Sequence, residues 1–136
     1  TALDLYRESP EAFQTSAWLV DEVRKVSHRK YCTGFYYGAP ENGQYYETGG
    51  YIRTCDIVGV AEECREGRLY GTQRNKFSAG EVLEVLSPGQ KPVEITVADL
   101  QNENGEAVDS ANHAMMPFSF SCQSKFERGS ILRRCL

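Results

Sequence analysis

The chain has 136 residues, 40% hydrophobic and 25% charged, with a formal net charge of −4. These proportions suit one ordinary globular domain and exclude long disorder. No apolar run approaches the ~20 residues of a membrane-spanning helix, and the charge is too mild to announce a nucleic acid by itself.

Residues 1–8 read as the end of an upstream helix or linker that Pro10 terminates. With no basic leader and no partner for their apolar pattern, they point to a piece of a longer protein. Residues 9–136 are then one domain. Ser9-Pro10-Glu11 is a helix start, with a capping Ser, Pro at the first helical position and an acid facing the dipole. Phe13, Ala17, Val20 and Leu19, Val23, Val26 recur at helical spacing, which predicts one amphipathic helix over 10–26 laid against a core.

After Ser27 the composition turns to β-branched and aromatic residues. Turn pairs recur at Asn42-Gly43, Gly49-Gly50, Glu66-Gly67, Pro88-Gly89, Asn104-Gly105 and Arg128-Gly129. Strands are expected over 51–63, 68–75, 81–86, 92–98, 114–122 and 130–134. Glu66-Gly67 should fold the first two into a hairpin, and Val93–Val97 alternates as a half-buried strand does. Six short strands with one helix predict a mostly-β fold: a small closed antiparallel β-barrel over about 31–134 with one N-terminal amphipathic helix.

Two segments share a phrase of aromatic, two residues, Gly, polar residue and β run. They are Phe77-Ser78-Ala79-Gly80-Glu81-Val82 and Phe126-Glu127-Arg128-Gly129-Ser130-Ile131. A Gly at positive φ feeding a strand is the physical content, and the phrase resembles the barrel domains of translation elongation factors.

Cys32, Cys55, Cys64, Cys122 and Cys135 are odd in number and hold no Cys-x-x-Cys pair. Reduced, structural thiols in a cytoplasmic protein are expected, with pairing of Cys55 or Cys64 to a distant partner the alternative. No metal-ligand spacing, phosphate loop or hydrolase motif is present, so neither cofactor nor catalytic residue is assigned to this domain. Asp99, Asn102, Asn104 and Gly105 lack the closing Glu of a calcium loop.

The densest stretch is Ser27–Gly38, where His28, Arg29 and Lys30 precede Tyr31, Phe35, Tyr36 and Tyr37. Cations for phosphate beside aromatic faces for bases suit single-stranded nucleic acid. The alternative is a helix C-terminus offsetting its dipole, followed by an aromatic plug in the barrel. Arg53 follows Tyr51, and Tyr45, Tyr46 and Tyr51 beside Gly49-Gly50 would suit a polypeptide contact. Arg74 and Lys76 should share one side of a continuing strand, with Gln73 and Asn75 on the other. The candidate ligand contacts are therefore His28, Arg29, Lys30, Tyr31, Phe35, Arg53, Arg74 and Lys76.

The run Val26–Gly38, with Gly50-Tyr51-Ile52-Arg53, Val58-Gly59-Val60 and Gln73-Arg74-Asn75-Lys76-Phe77, resembles the C-terminal region of the peptidase U32 family, the collagenase-like bacterial proteases. Nearly the whole chain takes part. The family's acidic, glycine- and cysteine-bearing catalytic segment has no counterpart here. The resemblance implies an accessory β-domain whose partner is an upstream catalytic domain of the same chain. It implies RNA or a polypeptide such as collagen as substrate, since the family includes both collagen-degrading peptidases and RNA-hydroxylation factors; the further alternative is a purely structural or oligomerisation domain that contacts its parent through residues 1–8 and the outer face of the helix.

Overall fold

A computed structural model describes residues 2–40 and 50–136. Tyr45, Tyr46, Gly49 and the Asn42-Gly43 turn lie outside the described residues. The chain divides into two compact units, Thr1–Cys55 and Asp56–Leu136.

The first unit carries helix α1 (Ala2–Glu8), a 3-10 turn (Pro10–Ala12) and helix α2 (Ala17–Arg24). The single helix expected over 10–26 is thus broken. Ser9 makes no side-chain cap bond, and Phe13 is already extended at φ −65° and ψ 125°. Gln14-Thr15-Ser16 then places a β-branched residue and a Ser, both weak helix formers, in extended backbone, and the helix restarts only after Ser16. Tyr6 packs edge-on against Phe13 with ring centroids 5.6 Å apart. Farther on, His28 and Ile52 exchange backbone hydrogen bonds of 3.0 and 2.7 Å, a single antiparallel bridge in place of the strand expected from residue 51.

The main sheet has seven strands: β1 (Cys55–Arg65), β2 (Arg68–Gln73), β4 (Val82–Leu86), β5 (Val93–Thr96), β6 (Ala98–Asn102), β8 (Pro117–Ser121) and β9 (Ile131–Cys135). Their spatial order is β5-β4-β9-β1-β2-β8-β6. Two short strands, β3 (Phe77–Ser78) and β7 (Ser110–Ala111), form a second antiparallel ladder. The expected closed barrel is corrected: the sheet is an open, curled half-barrel in a mostly-β fold. Its two edges, β5 and β6, follow one another in the chain through Val97. There Val97 N–H donates to Glu81 O and Val97 O accepts from Gly80 N–H. Asp99 at φ 53° then redirects the backbone, and the β6–β8 register shifts between Ala98 and Gln101. One continuous segment therefore supplies both edges without laddering them together.

Local sequence explains the turns. Glu66 and Gly67 take φ 51° and 73°, a two-residue hairpin turn with Arg65 paired to Arg68. Gly80 and Gly129 take φ 86° and 89°. Each closes a turn through a hydrogen bond from the next residue, Glu81 N–H to Ser78 O and Ser130 N–H to Glu127 O. The two phrases seen in the sequence thus feed β4 and β9, which pair antiparallel.

Among the described residues, the buried hydrophobic cluster lies in the second unit. Val58, Leu69, Phe77, Leu83, Val85, Leu100, Phe118, Phe120 and Leu132 are its larger members. Phe118 meets Phe77 edge-on at 4.9 Å and stacks with Phe120 at 5.9 Å. A register shift between Ala61 and Glu63 keeps both Ala61 and Cys64 opposite the inward-facing Gly71 and Leu69, while Glu62 turns outward to accept from the Thr72 hydroxyl. On β2, Leu69, Gly71 and Gln73 alternate inward. The alternation expected at 93–97 holds on this edge strand: Ile95 is half-buried against the core and Val97 buried, while Glu94 and Thr96 are exposed.

The expectation of five reduced cysteines is corrected as well. Cys55, which opens β1, and Cys135, which ends β9, are disulfide-bonded, whereas Cys32, Cys64 and Cys122 are free. The sheet brings β1 beside β9, a neighbourhood that spacing along the chain does not reveal.

Candidate nucleic-acid interface

In the first unit, the His28 ring stacks on Tyr31 at 4.3 Å and 19°, and the Tyr31 hydroxyl donates to Val23 O at 2.8 Å. The Arg29 guanidinium lies over the Tyr51 ring, 5.2 Å from its centroid, a cation–π contact. Arg53 follows on the same stretch and is exposed, as is Lys30. Next comes a double turn in which Tyr36 N–H donates to Thr33 O and Gly38 N–H to Phe35 O. Gly34 and Gly38 permit it by taking φ 56° and 110°.

That turn lifts Phe35, Tyr36 and Tyr37 to 83%, 87% and 85% exposure. Tyr36, Tyr37 and Tyr51 extend the sequence-derived set. The signal for the first two was three successive aromatics between glycines; no sequence signal paired Tyr51 with Arg29.

Arg74 and Lys76 belong to the second unit. The strand expected to continue to residue 75 stops at Gln73, because the backbone N–H groups of both Arg74 and Asn75 turn to Val58 O at 2.8 and 3.3 Å. Gln73 is buried while Arg74, Asn75 and Lys76 are all exposed, so the expected two-sided split is replaced by one polar bend. Asn75 Nδ2 anchors it by donating to Ile57 O at 2.7 Å. The Arg74 guanidinium reaches the Met115 sulfur, and Lys76 O accepts from Arg134 at 3.3 Å. The eight sequence-derived residues are thus divided, six in the first unit and two in the second.

Other charged groups are engaged in structure. Arg133 Nε donates to Glu84 Oε2 at 2.7 Å, an almost buried pair between β9 and β4. Arg134 spans Glu81 and Asp56. Arg68 grips Asp99 through both its carboxylate and its backbone oxygen. The hydrogen bond from Arg68 holds the Asp99 carboxyl below its usual pKa, whereas burial pushes the Cys122 thiol up.

An open polar cleft of about 450 Å³, lined in part by Asp109, Ser110, Asn112 and His113, contains none of the eight residues. The calcium-loop fragment is explained locally: Asn102 Oδ1 accepts from Asn104 and Glu106 N–H, closing a turn on itself. No group of His, Cys, Asp and Glu suited to a metal occurs among the described residues. None of their helices is long and apolar enough to cross a membrane.

Residues 53–133 match the profile of the peptidase family U32 C-terminal domain. Two solved structures of the C-terminal domain of a Geobacillus thermoleovorans protein assigned to the U32 peptidases share its fold. One, a selenomethionine variant, has TM-score 0.55 and 20% identity, covering 58% of this chain and 99% of its own. The other has TM-score 0.54 and 19% identity, covering 57% and 89%. The tRNA hydroxylation protein P1 of Bacillus subtilis is 26% identical over 135 residues, 97% of this chain and 32% of that protein. The chain thus spans about a third of that relative's length. With the profile matched over more than half of its residues, the chain belongs to peptidase family U32 and carries that family's C-terminal domain.

Proposed function

We propose that this chain is a non-catalytic accessory part of a U32 protein and presents RNA to a catalytic domain elsewhere in the same polypeptide. One observation carries the reading. His28, Arg29 and Lys30 stand beside Tyr31 and Tyr51, and three rings at Phe35, Tyr36 and Tyr37 are almost fully open. Cations would neutralise phosphates while free aromatic faces stack unpaired bases, each stack worth about 1–3 kcal/mol. Arg53 adds a phosphate contact in this unit, and Arg74 and Lys76 offer separate ones on the second unit. The relative named for tRNA hydroxylation supports RNA over collagen as the substrate. The likeness of the two glycine phrases to elongation-factor barrels, and a cytoplasmic address, belong to the same reading.

Fluorescence anisotropy of the whole chain with transfer RNA and with denatured collagen, at two salt concentrations, tests it. RNA binding should weaken steeply with salt, with a log–log slope of about −0.7 for each single-strand phosphate neutralised. Arg29→Ala with Lys30→Ala should flatten that slope, and Phe35→Ala should weaken binding without changing it. Salt-insensitive RNA binding, or collagen binding alone, overturns the proposal.

A further inference from the structure

No described residue from 2 to 40 or from 50 to 54 is buried. Large apolar side chains nevertheless recur through the two helices: Leu3, Leu5 and Tyr6 on α1, with Val20 and Val23 on α2 and Val26 just beyond it, are 37–62% exposed. Leu19 and Val23 lie at i and i+4 on one face of α2, an apolar stripe that Val26 follows in the bend after the helix. An amphipathic segment this rich in uncovered apolar surface marks an interface.

Three observations identify what covers it. The C-terminal domain profile begins only at residue 53, and a solved C-terminal domain is accounted for over 99% of its length by 58% of this chain, so that fold does not require the helices. The Bacillus subtilis relative aligns with 97% of this chain, helices included, and two thirds of it lie outside the match. Residues 1–27 hold five acids against three bases, which disfavours phosphate and leaves a folded protein surface as the fitting occupant. We infer that α1 and α2 dock through this apolar stripe onto the catalytic domain of the same U32 polypeptide and complete its core, separately from the basic aromatic stretch at 28–37.

Hydrogen exchange compares the chain of residues 1–136 with the complete natural polypeptide that carries it. Burying even one Leu or Val side chain shifts an opening equilibrium roughly ten- to a hundred-fold, so amides over 17–26 should exchange at least about ten-fold more slowly in the complete protein. Leu5→Asp and Val23→Asp should leave the melting of the 136-residue chain unchanged but lower that of the complete protein. Equal exchange in the two, silent aspartates in the complete protein, or a natural polypeptide no longer than this chain overturns the inference. RNA binding is read on the 136-residue chain alone, so failure of either proposal leaves the other standing.

Discussion

Replacing Gly71 by Ala tests the packing of the sheet most directly. Gly71 sits on β2 opposite Phe118 of β8, and the ring occupies the space where a side chain would stand. A Cβ there would lie 2.5 Å from Val60 O and 2.8 Å from Phe118 Cζ. Gly71 is not among the positive-φ glycines, so the backbone would accept Ala, which should by itself gain about 0.4–1 kcal/mol through the unfolded state. Overpacking in a filled core costs about 1–3 kcal/mol, and one of the two atoms is backbone on a central strand that cannot swing away. The loss should therefore win, lowering Tm by roughly 4–8 °C for each kcal/mol in a domain of this size. Urea and thermal melts followed by far-UV circular dichroism are suitable, because the single tryptophan, Trp18, reports on the other unit. Phe118→Leu in the Gly71→Ala background should restore only part of the loss, since the Val60 oxygen remains. A Gly71→Ala chain as stable as the parent would refute the reasoning.

Glu84→Ala should cost about 3–5 kcal/mol by breaking the almost buried pair with Arg133 from one side, whereas Glu84→Leu with Arg133→Met should be near neutral; urea midpoints of the three chains decide. Because Arg68 depresses the Asp99 pKa, that carboxylate stabilises the fold above its ordinary value near 3.8, and the contribution is lost as pH falls through the lower folded value. Asp99→Asn should therefore flatten the acid limb of a stability–pH curve, and an unchanged limb would refute it. Iodoacetamide at neutral pH should label exposed Cys32 well before Cys122, whose burial disfavours the thiolate; mass spectrometry reads the order. Protein taken from a reducing cytoplasm should show five titratable thiols and oxidised protein three, which sets the disulfide at Cys55 and Cys135 against the proposed address.

Local chemistry was legible wherever it decides the outcome by itself. Glu66-Gly67 had to turn, and Gly80 and Gly129 had to take positive φ, because these residue types suit a backbone that others resist. The basic-aromatic run at 28–37 was visible as composition, and its family resemblance as words. Tertiary structure decided the rest, because it depends on what a residue meets across the fold. It broke the helix at Phe13, opened the barrel at Val97, joined the neighbourhoods of Cys55 and Cys135, and left Phe35, Tyr36 and Tyr37 in solvent. An aromatic run reads the same whether it fills a core or faces a ligand; only the surroundings of each ring distinguish the two.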